Sequence, residues 1–297
     1  MRNRTTPWLF LSPFLLLFVF TMVVPILIAV GQSFMTVKRR GLLGEEGVAT
    51  KFAGIDNYVV ALTNVNFIDS IGRMLLFGVV QVTVMIASAT VLALLLESAA
   101  ARAPGLFRST YFLPYGIPGV IATILWSFLY VPGLSPIVDT LALVGIQVDF
   151  LSKSAVLWAI ANIITWTYTG YNMLIIIAQL KSIPGELYEA AKIDGAGSLR
   201  VVTSIQLPLV RPALMLTIIF SIIGTLQLFA EPRVLKSVST GITSEYTPNM
   251  SAYAYAFQYN DMGVAAAEAV IIAVAAFVLS AVALGLSNRS QRGGRAS

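Results

Sequence analysis

Apolar residues form six long runs along the chain, and polar or turn-forming residues separate them. A helix needs about 20 consecutive apolar residues to cross the hydrocarbon core of a membrane. The runs cover residues 8–30, 74–96, 107–131, 154–180, 213–230 and 264–286. Pro114 and Pro118 lie near the start of the third run and are expected to kink it. The pattern predicts an all-α, polytopic membrane protein with six transmembrane helices, in which residues 1–297 form a single domain.

The first run also has some features of a secretory signal sequence. Arg2 and Arg4 precede it, and Ala29-Val30-Gly31 near its end resembles a small-residue cleavage site. The apolar part of a signal sequence is only about 7 to 15 residues long, and the run from 8 to 30 exceeds that length. We therefore interpret the first run as an uncleaved membrane anchor.

The composition is typical of a membrane protein, and it limits which catalytic and metal-binding groups the chain can offer. Hydrophobic residues make up 57% of the chain and charged residues only 11%, whereas about 25% of the residues are charged in soluble domains. The chain contains no histidine and no cysteine, which are the commonest general base and the thiolate metal ligand. We therefore expect no catalytic residue and no metal site. The formal charge of +5 is spread between the apolar runs, so nucleic-acid binding is not expected either.

Basic residues indicate the orientation of the chain, because cytoplasmic loops carry an excess of them. The clearest signal is the C-terminal tail with Arg289, Arg292 and Arg295, whereas residues 38–40 are basic on the opposite side. An even number of spans then places both termini in the cytoplasm. Residues 182–211, between the fourth and fifth spans, are cytoplasmic in this orientation.

The cytoplasmic segment 182–211 begins with signals for a helix. Ser182 is expected to act as its N-cap, with Pro184 in the first turn and Glu186 near the positive end of the helix. Farther along, Gly195 and Gly197 are expected to form a turn in which left-handed backbone is available.

The same segment has a surface suited to docking. Ala190 and Ala191 add little bulk, so a partner surface can approach the helix backbone, and Glu189 provides a charge that fixes orientation. Ser198 is expected to cap a second short helix that runs toward Pro208. The alternative is an ordinary amphipathic loop between two spans, and these physical arguments do not identify a partner.

The spacing of these residues resembles a known motif. Glu189-Ala190-Ala191, Gly195 four residues later, and Ile205 before Leu207-Pro208 match the EAA motif of ABC importer permeases at every fixed position. In that family, which has the type I importer fold, the segment is a coupling helix held in a cleft of the ATP-binding subunit. The resemblance assigns ATPase coupling to Glu189, Ala190, Ala191, Asp194, Gly195, Gly197 and Pro208.

Other stretches resemble the sugar-importing branch of that family, and the similarity covers nearly the whole chain. They are residues 7–13, 52–58, 190–196 and 263–267. Val202 is a departure, because members often carry an aromatic residue there that packs into the ATPase. The pattern is most similar to the F or A-type permeases for maltose and glycerol-3-phosphate.

The resemblance implies a prokaryotic inner-membrane importer in which this chain is surrounded by lipid and binds no cofactor. The implied partners are a second, homologous permease, two ATP-binding cassette subunits that bind ATP and Mg²⁺, and an extracytoplasmic sugar-binding protein. The implied cargo is a mono-, di- or oligosaccharide, or a related polyol or glycerol phosphate. An importer of another small solute, such as a polyamine or phosphate, is the alternative.

Polar and aromatic side chains inside the spans are candidates for the substrate path, because they are costly unless they face protein or water. The candidates are Gln81, Trp166, Tyr171, Asn172, Gln227 and Glu268, and Asn162 and Tyr168 are further polar or aromatic residues of the same spans. Amide and aromatic groups bind sugars, but they also bridge helices or anchor them at the interface. Glu268 lies about one turn inside the sixth run, so it either lines a path or extends to the membrane surface. Glu231-Pro232-Arg233 resembles the family's acidic-proline turn, which is compatible with a purely structural role.

Two other classes of membrane protein fit less well. An ion-coupled secondary transporter needs coupling-ion ligands near the middle of the bilayer, and buried carboxylates are scarce here. An intramembrane enzyme needs a nucleophile with a base, and a chain without histidine or cysteine offers few such groups.

Overall fold

The computed structural model describes residues 6–39, 48–98 and 101–293. The basic residues Arg2, Arg4, Arg40 and Arg295, on which the predicted orientation partly depends, lie outside this part of the chain. The chain divides into two compact units. The first comprises residues 1–70 and 248–275, and the second comprises residues 71–247 and 276–297.

The first unit contains helices and a short antiparallel ribbon. Its elements are α1 Thr6–Phe18, a π-helical turn Val19–Val23, α2 Val24–Ser33, β1 Met35–Arg39, β2 Val48–Phe52, α3 Asp56–Thr63 and α13 Pro248–Phe257. The ribbon pairs Met35 with Phe52 and was not predicted from the sequence. Two long helices, α4 Val65–Leu96 and α14 Met262–Gly293, have residues in both units.

The end of the first membrane helix is fixed by hydrogen bonds to α3. The Asn57 side-chain amide donates to the backbone oxygens of Ser33, at 2.8 Å, and of Met35, at 2.9 Å. Gly263 lies against the same atoms, because a Cβ at this position would be 2.3 Å from Met35 O. The small residue that opens the stretch 263–267 therefore permits a close backbone approach within the first unit.

The second unit contains the remaining elements, all of them helical. They are α5 Pro104–Phe112, a 3₁₀ turn Leu113–Gly116, α6 Gly119–Tyr130, α7 Pro136–Leu143, α8 Val156–Lys181, α9 Gly185–Ile193, α10 Ser198–Val201, a π-helical turn Val202–Gln206, α11 Leu207–Leu226 and α12 Ala230–Leu235.

The described residues include four helical stretches that are long and apolar enough to cross a membrane, or five if one bent pair counts as a span. The four are Trp8–Ser33, Val65–Leu96, Ser198–Leu235 and Met262–Gly285. The pair Pro104–Gly116 and Gly119–Tyr130 is bent by 98°. The kink predicted at Pro114 and Pro118 is confirmed, and it is a complete break between two helices.

The fourth predicted span, 154–180, forms α8, which is 26 residues long. It is less apolar than the four stretches named above. Polar side chains such as Asn162, Thr165 and Asn172 lower its hydropathy, and many of its residues are buried within the chain. The helix is confirmed, and the count of six spans stays a prediction.

Helices α4, α8 and α11 share one hydrophobic core in the second unit. Buried members include Ala89 and Ala93 of α4, Met173 and Ile176 of α8, and Val210 at the start of α11. Small residues on α4 let the neighbouring helices approach closely, as is usual where helices pack inside a membrane. This core lies next to the segment 182–211, because Ile183 belongs to it and Tyr188 and Ile205 pack against it.

Candidate functional site

The predicted coupling helix is α9, but it does not begin as predicted. Ser182 is the C-cap of α8 and not the N-cap of α9. Its hydroxyl donates to the backbone oxygen of Gln179 at 2.8 Å and accepts a hydrogen bond from the Gln179 side-chain amide. Helix α9 starts at Gly185 after Pro184, and no side chain caps it. Glu186 lies in the first turn, as predicted.

Helix α9 ends in a Schellman motif built from EAA-motif residues. Gly195 has a φ of +71° and donates its N–H to Lys192 O at 3.1 Å. The next N–H, from Ala196, reaches back to Ala191 O at 2.9 Å. These two bonds satisfy the last carbonyls of the helix, and they need a residue that adopts the left-handed conformation. The predicted left-handed turn at Gly195 is confirmed.

Gly197 and Ser198 differ from the prediction. Gly197 is extended, with φ −72° and ψ 164°, so it does not use left-handed backbone. Ser198 is the first residue of α10 and not its cap, and no side-chain capping bond is present there. The sequence could not distinguish these two neighbours, because both residue types are common around helix starts.

Pro208 of the motif follows a π-helical turn. Leu207 N–H donates to Val202 O, five residues back. Proline has no N–H, and its ring clashes with the carbonyl four residues earlier in a regular α-helix. A wider turn directly before Pro208 relieves this conflict, so α10, the π turn and α11 run on as one helical stretch.

One face of α9 is exposed. Glu189 and Ala190 lie on it, together with Ile193, which is 86% exposed. Ala191, by contrast, is buried, so only one of the two alanines is available to a partner. Leu199, just beyond the turn, is 77% exposed. These two large apolar side chains were not predicted, since their exposure depends on how the segment packs.

The other face of the segment is fixed to the membrane part of the unit. Tyr188 of α9 and Ile205 of the π turn pack against the core formed by α4, α8 and α11. The Gln206 amide donates to the Tyr188 hydroxyl at 3.4 Å. Asp194 and Gly197 are exposed, whereas Pro208 is half-buried. The segment is therefore attached to α8 and α11 both through the chain and through packing.

A cavity of about 580 Å³ lies within the second unit. Four of the six predicted path residues line it: Gln81, Tyr171, Asn172 and Gln227. Further lining residues are Met85, Tyr115, Ile164, Tyr168, Phe220, Ser221, Gly224, Thr225, Leu228, Phe229, Ala230 and Glu231. The sequence could not show that residues from α4, α8, α11 and the turn around Tyr115 meet at one place.

Three tyrosines form one wall of this cavity. The Tyr115 ring stacks on Tyr171, with a centroid distance of 4.5 Å and an interplanar angle of 16°. It also meets Tyr168 edge-on at 5.8 Å. Tyr115 lies within the predicted run 107–131, but it was not among the candidate path residues, because the sequence did not show that the bend brings its ring against Tyr171 of α8.

The close approach of α5 and α8 positions this wall. A Cβ atom at Gly170 would lie only 1.8 Å from the backbone oxygen of Tyr111, at the end of α5. Gly170 precedes Tyr171 in α8, and Tyr111 lies one turn before Tyr115. The absence of a side chain at residue 170 therefore lets the two stacking rings meet.

Buried amides provide the polar part of the lining. Gln81 is almost fully buried, and its amide lies 3.4 Å from both Met85 Sδ and Thr165 Oγ1. The Asn172 amide donates to Tyr168 O at 3.1 Å. Gln227 is exposed at the end of α11. Amides beside aromatic rings form a surface with hydrogen-bonding and stacking groups.

Two predicted path residues do not line the cavity. Trp166 packs edge-on against Trp126 at 5.7 Å, which fits the structural alternative. Glu268 belongs to the first unit, where it is fully buried and accepts a hydrogen bond from Ser251 Oγ at 3.0 Å. Of the two alternatives for Glu268, extension to the membrane surface is wrong, because the side chain is fully buried against protein.

Asn162 bridges helices and also lies outside the cavity lining. Its amide donates to the Tyr130 hydroxyl at 2.9 Å, and that hydroxyl donates to Ala159 O at 3.1 Å. Both bonds connect α8 to α6. Within the described ranges, His, Cys, Asp and Glu side chains form no group of three that could hold a metal ion.

Comparisons with known proteins agree with this arrangement of helices. Residues 89–292 match the family described as the binding-protein-dependent transport system inner membrane component. The match includes α8, the whole coupling segment, α11 and α12.

Similar relatives extend over most of the chain. The lactose transport system permease protein LacF of Rhizobium radiobacter is 33% identical over 262 residues, 86% of this chain and 84% of the relative. The arabinooligosaccharides transport system permease protein AraP of Bacillus subtilis is 28% identical, over 96% and 89% of the two chains.

A solved structure has the same fold. It is a bacterial alginate ABC transporter in complex with an alginate pentasaccharide-bound periplasmic protein, with a TM-score of 0.80 and 21% identity. The alignment covers 96% of this chain and 94% of that chain. The chain has long apolar helices, a segment with the EAA spacing and a family match over two thirds of its length. It therefore belongs to the binding-protein-dependent transport system inner membrane components, the permease subunits of ABC importers.

Proposed function

We propose that this chain is a sugar permease that couples ATP hydrolysis by a separate subunit to movement of solute through the cavity of the second unit. One observation carries the proposal. Helices α8 and α11 flank the coupling segment, and together they supply half of the residues that line the cavity. A displacement of the segment therefore reaches the cavity through two continuous helices.

The docking surface supports a motor partner. The exposed face of α9 combines the small Ala190 with Ile193, and Leu199 is exposed nearby. Exposed apolar side chains close together favour burial against another protein. Glu189, Ala190, Ala191, Asp194, Gly195, Gly197 and Pro208 are the residues that we assign to ATPase coupling.

The coupling mechanism follows from rigid attachment. When two ATP-binding cassette subunits bind ATP and Mg²⁺ and close, the exposed face of α9 moves with them. Tyr188 and the shared core transmit this movement to α8 and α11. Packed helices move as rigid bodies between discrete arrangements, so the cavity opens to the opposite side of the membrane. This chain supplies no residue to ATP hydrolysis.

The lining of the cavity supports a sugar as the cargo. Sugars present hydroxyl groups around an apolar ring face, which suits amides placed beside aromatic rings. Gln81 and Asn172 supply the amides, and the stacked Tyr115 and Tyr171 supply the rings. Relatives named for transport of lactose and arabinooligosaccharides add support.

The remaining partners are also part of the proposal. A second, homologous permease would cover the first membrane helix. None of the residues 8–30 in this helix is buried within the chain. An extracytoplasmic sugar-binding protein would deliver the cargo, as the periplasmic protein bound in the alginate transporter suggests. We place the chain, as one permease domain, in a prokaryotic inner membrane with both termini in the cytoplasm.

Affinity purification of the tagged full chain tests the function. We expect a second permease and an ATPase to co-purify, and the ATPase rate of the reconstituted complex to rise with a sugar-loaded binding protein. A rate that rises with polyamine or phosphate instead would favour the alternative cargo. Purification of the chain without an ATPase, combined with solute transport that needs no nucleotide, would refute the proposal.

A further inference from the structure

The charged residues that line the cavity indicate which class of sugar it would accept. Among the described residues that line it, Glu231 is the only charged side chain, and no lysine or arginine is present. The other polar lining groups are amides, hydroxyls and backbone. A solute in the cavity therefore meets one formal negative charge that no lining cation balances.

The position of Glu231 is fixed by two neighbouring helices. It lies in the first turn of α12, which packs against α6. A Cβ atom at Gly119 would be 3.3 Å from Glu231 Oε1, so the carboxylate occupies the space beside the first residue of α6. The first turn of a helix has N–H groups without helical partners and a positive end, both of which favour a carboxylate there.

We propose that Glu231 makes the cavity selective for uncharged sugars over anionic sugars such as uronates and sugar phosphates. This inference rests on the proposed function, because it assumes that the solute passes through the cavity. At an effective dielectric constant of about 20, two like charges about 6 Å apart repel enough to lower binding about 100-fold. An uncharged sugar does not experience this repulsion and can donate a hydroxyl hydrogen bond to the carboxylate.

A purely structural role of Glu231 predicts a different result. If the carboxylate only joins α12 to α6, its replacement weakens binding of every solute to a similar extent. A charge filter instead changes the ratio of the affinities for neutral and anionic sugars. The ratio therefore distinguishes the two roles.

The test compares wild type, Glu231→Gln and Glu231→Asp in the complete transporter, purified and placed in nanodiscs without the sugar-binding protein. Saturation-transfer NMR measures binding of matched pairs, D-glucose with D-glucuronate and D-galactose with D-galacturonate. Lactose and maltose are added to decide whether the cavity accepts carbohydrate at all. Asp139→Asn is the matched control, since Asp139 is an exposed acid of the same unit that does not line the cavity.

We expect wild type, Glu231→Asp and Asp139→Asn to prefer the neutral member of each pair about 100-fold. Glu231→Gln should reduce this preference to about 10-fold or less, because the amide keeps the shape and loses the charge. Binding of neutral sugars with an unchanged preference in Glu231→Gln would overturn the inference and leave the proposed function standing. Binding of no carbohydrate to the wild-type complex would contradict the proposed function itself.

Discussion

Replacing Gly170 by alanine tests the contact that positions the tyrosine wall of the cavity. The added Cβ would lie 1.8 Å from Tyr111 O, 2.4 Å from Tyr111 C and 2.9 Å from Phe112 Cα. All three atoms belong to the backbone of α5, so no side-chain rotation relieves the overlap. To reach even 3.0 Å, the two helices must move apart locally by about 1.2 Å.

The expected cost follows from overpacking and from lost contacts. Inserting a methyl group into a closely packed site costs about 1–3 kcal/mol, and a rigid backbone neighbour favours the upper end. A gap of about 1 Å also removes about half of the dispersion energy of the atoms on either side. We therefore expect Gly170→Ala to destabilise the unit by about 3 kcal/mol and to separate the Tyr115 and Tyr171 rings.

Thermal unfolding of the purified complex measures this effect, and the affinity for a bound sugar reports the change in the wall. Gly72→Ala is the control, because a Cβ at residue 72 of α4 meets no atom within 4 Å. Alanine favours a helix over glycine by about 1 kcal/mol, so the control should keep or raise Tm. A Gly170→Ala protein with unchanged Tm and unchanged sugar affinity would refute the close approach of α5 and α8.

Three further predictions concern the coupling segment and the cavity. Gly195→Asp should abolish ATPase co-purification while the chain still inserts. Gly145→Asp is the matched control and should retain co-purification, because Gly145 ends α7 with the same pair of backbone bonds and a similar φ, +80° against +71° at Gly195, but lies outside the coupling segment. Equal loss in both variants would show that strain, and not docking, is responsible. Changing Ile193 and Leu199 together to serine should lower ATPase stimulation at least about 10-fold without lowering Tm, because both side chains are exposed; unchanged stimulation would contradict the docking surface. Tyr115→Leu should weaken sugar binding about 2-fold to 12-fold, measured by NMR titration, as expected for one lost aromatic contact; unchanged affinity would exclude stacking on this wall.

Much of the fold was predictable because the bilayer imposes a simple requirement on the sequence. Each apolar run is largely helical, although the third run is divided between α5 and α6, and Pro114 and Pro118 mark the break between them. Helix bounds were less predictable. Helix α4 begins at Val65, nine residues before the predicted start at Met74, since polar residues continue a helix once it leaves the hydrocarbon.

The coupling role of the segment was predicted from the spacing of its residues, whereas its geometry was only partly predicted. A Gly at the end of a helix has a strong local reason to be left-handed, so Gly195 was predictable. Ser182 was assigned to the wrong helix because the same hydroxyl can cap the start of one helix or the end of another. The choice depends on the C-terminus of α8, which local sequence does not determine.

The cavity was only partly predictable, because polarity within a span does not show which way a side chain points. Trp166 and Tyr171 lie on the same helix five residues apart, and the first packs against Trp126 while the second faces the cavity. Glu268 illustrates the same limit, since a buried acid is stable either in a wet path or against a hydroxyl donor such as Ser251.

A local motif alone does not distinguish a coupling helix from an ordinary one, as the ends of α7 and α9 show. Helix α7 ends at Gly145 with the same bonds that end α9 at Gly195. What differs is the connection on either side, because α9 lies between α8 and α11, and both of these helices line the cavity. We therefore expect the proposed coupling function of the segment to depend on this double attachment. A variant that keeps α9 intact but lengthens the link between Ser182 and Gly185 should bind the ATPase and fail to transmit its movement.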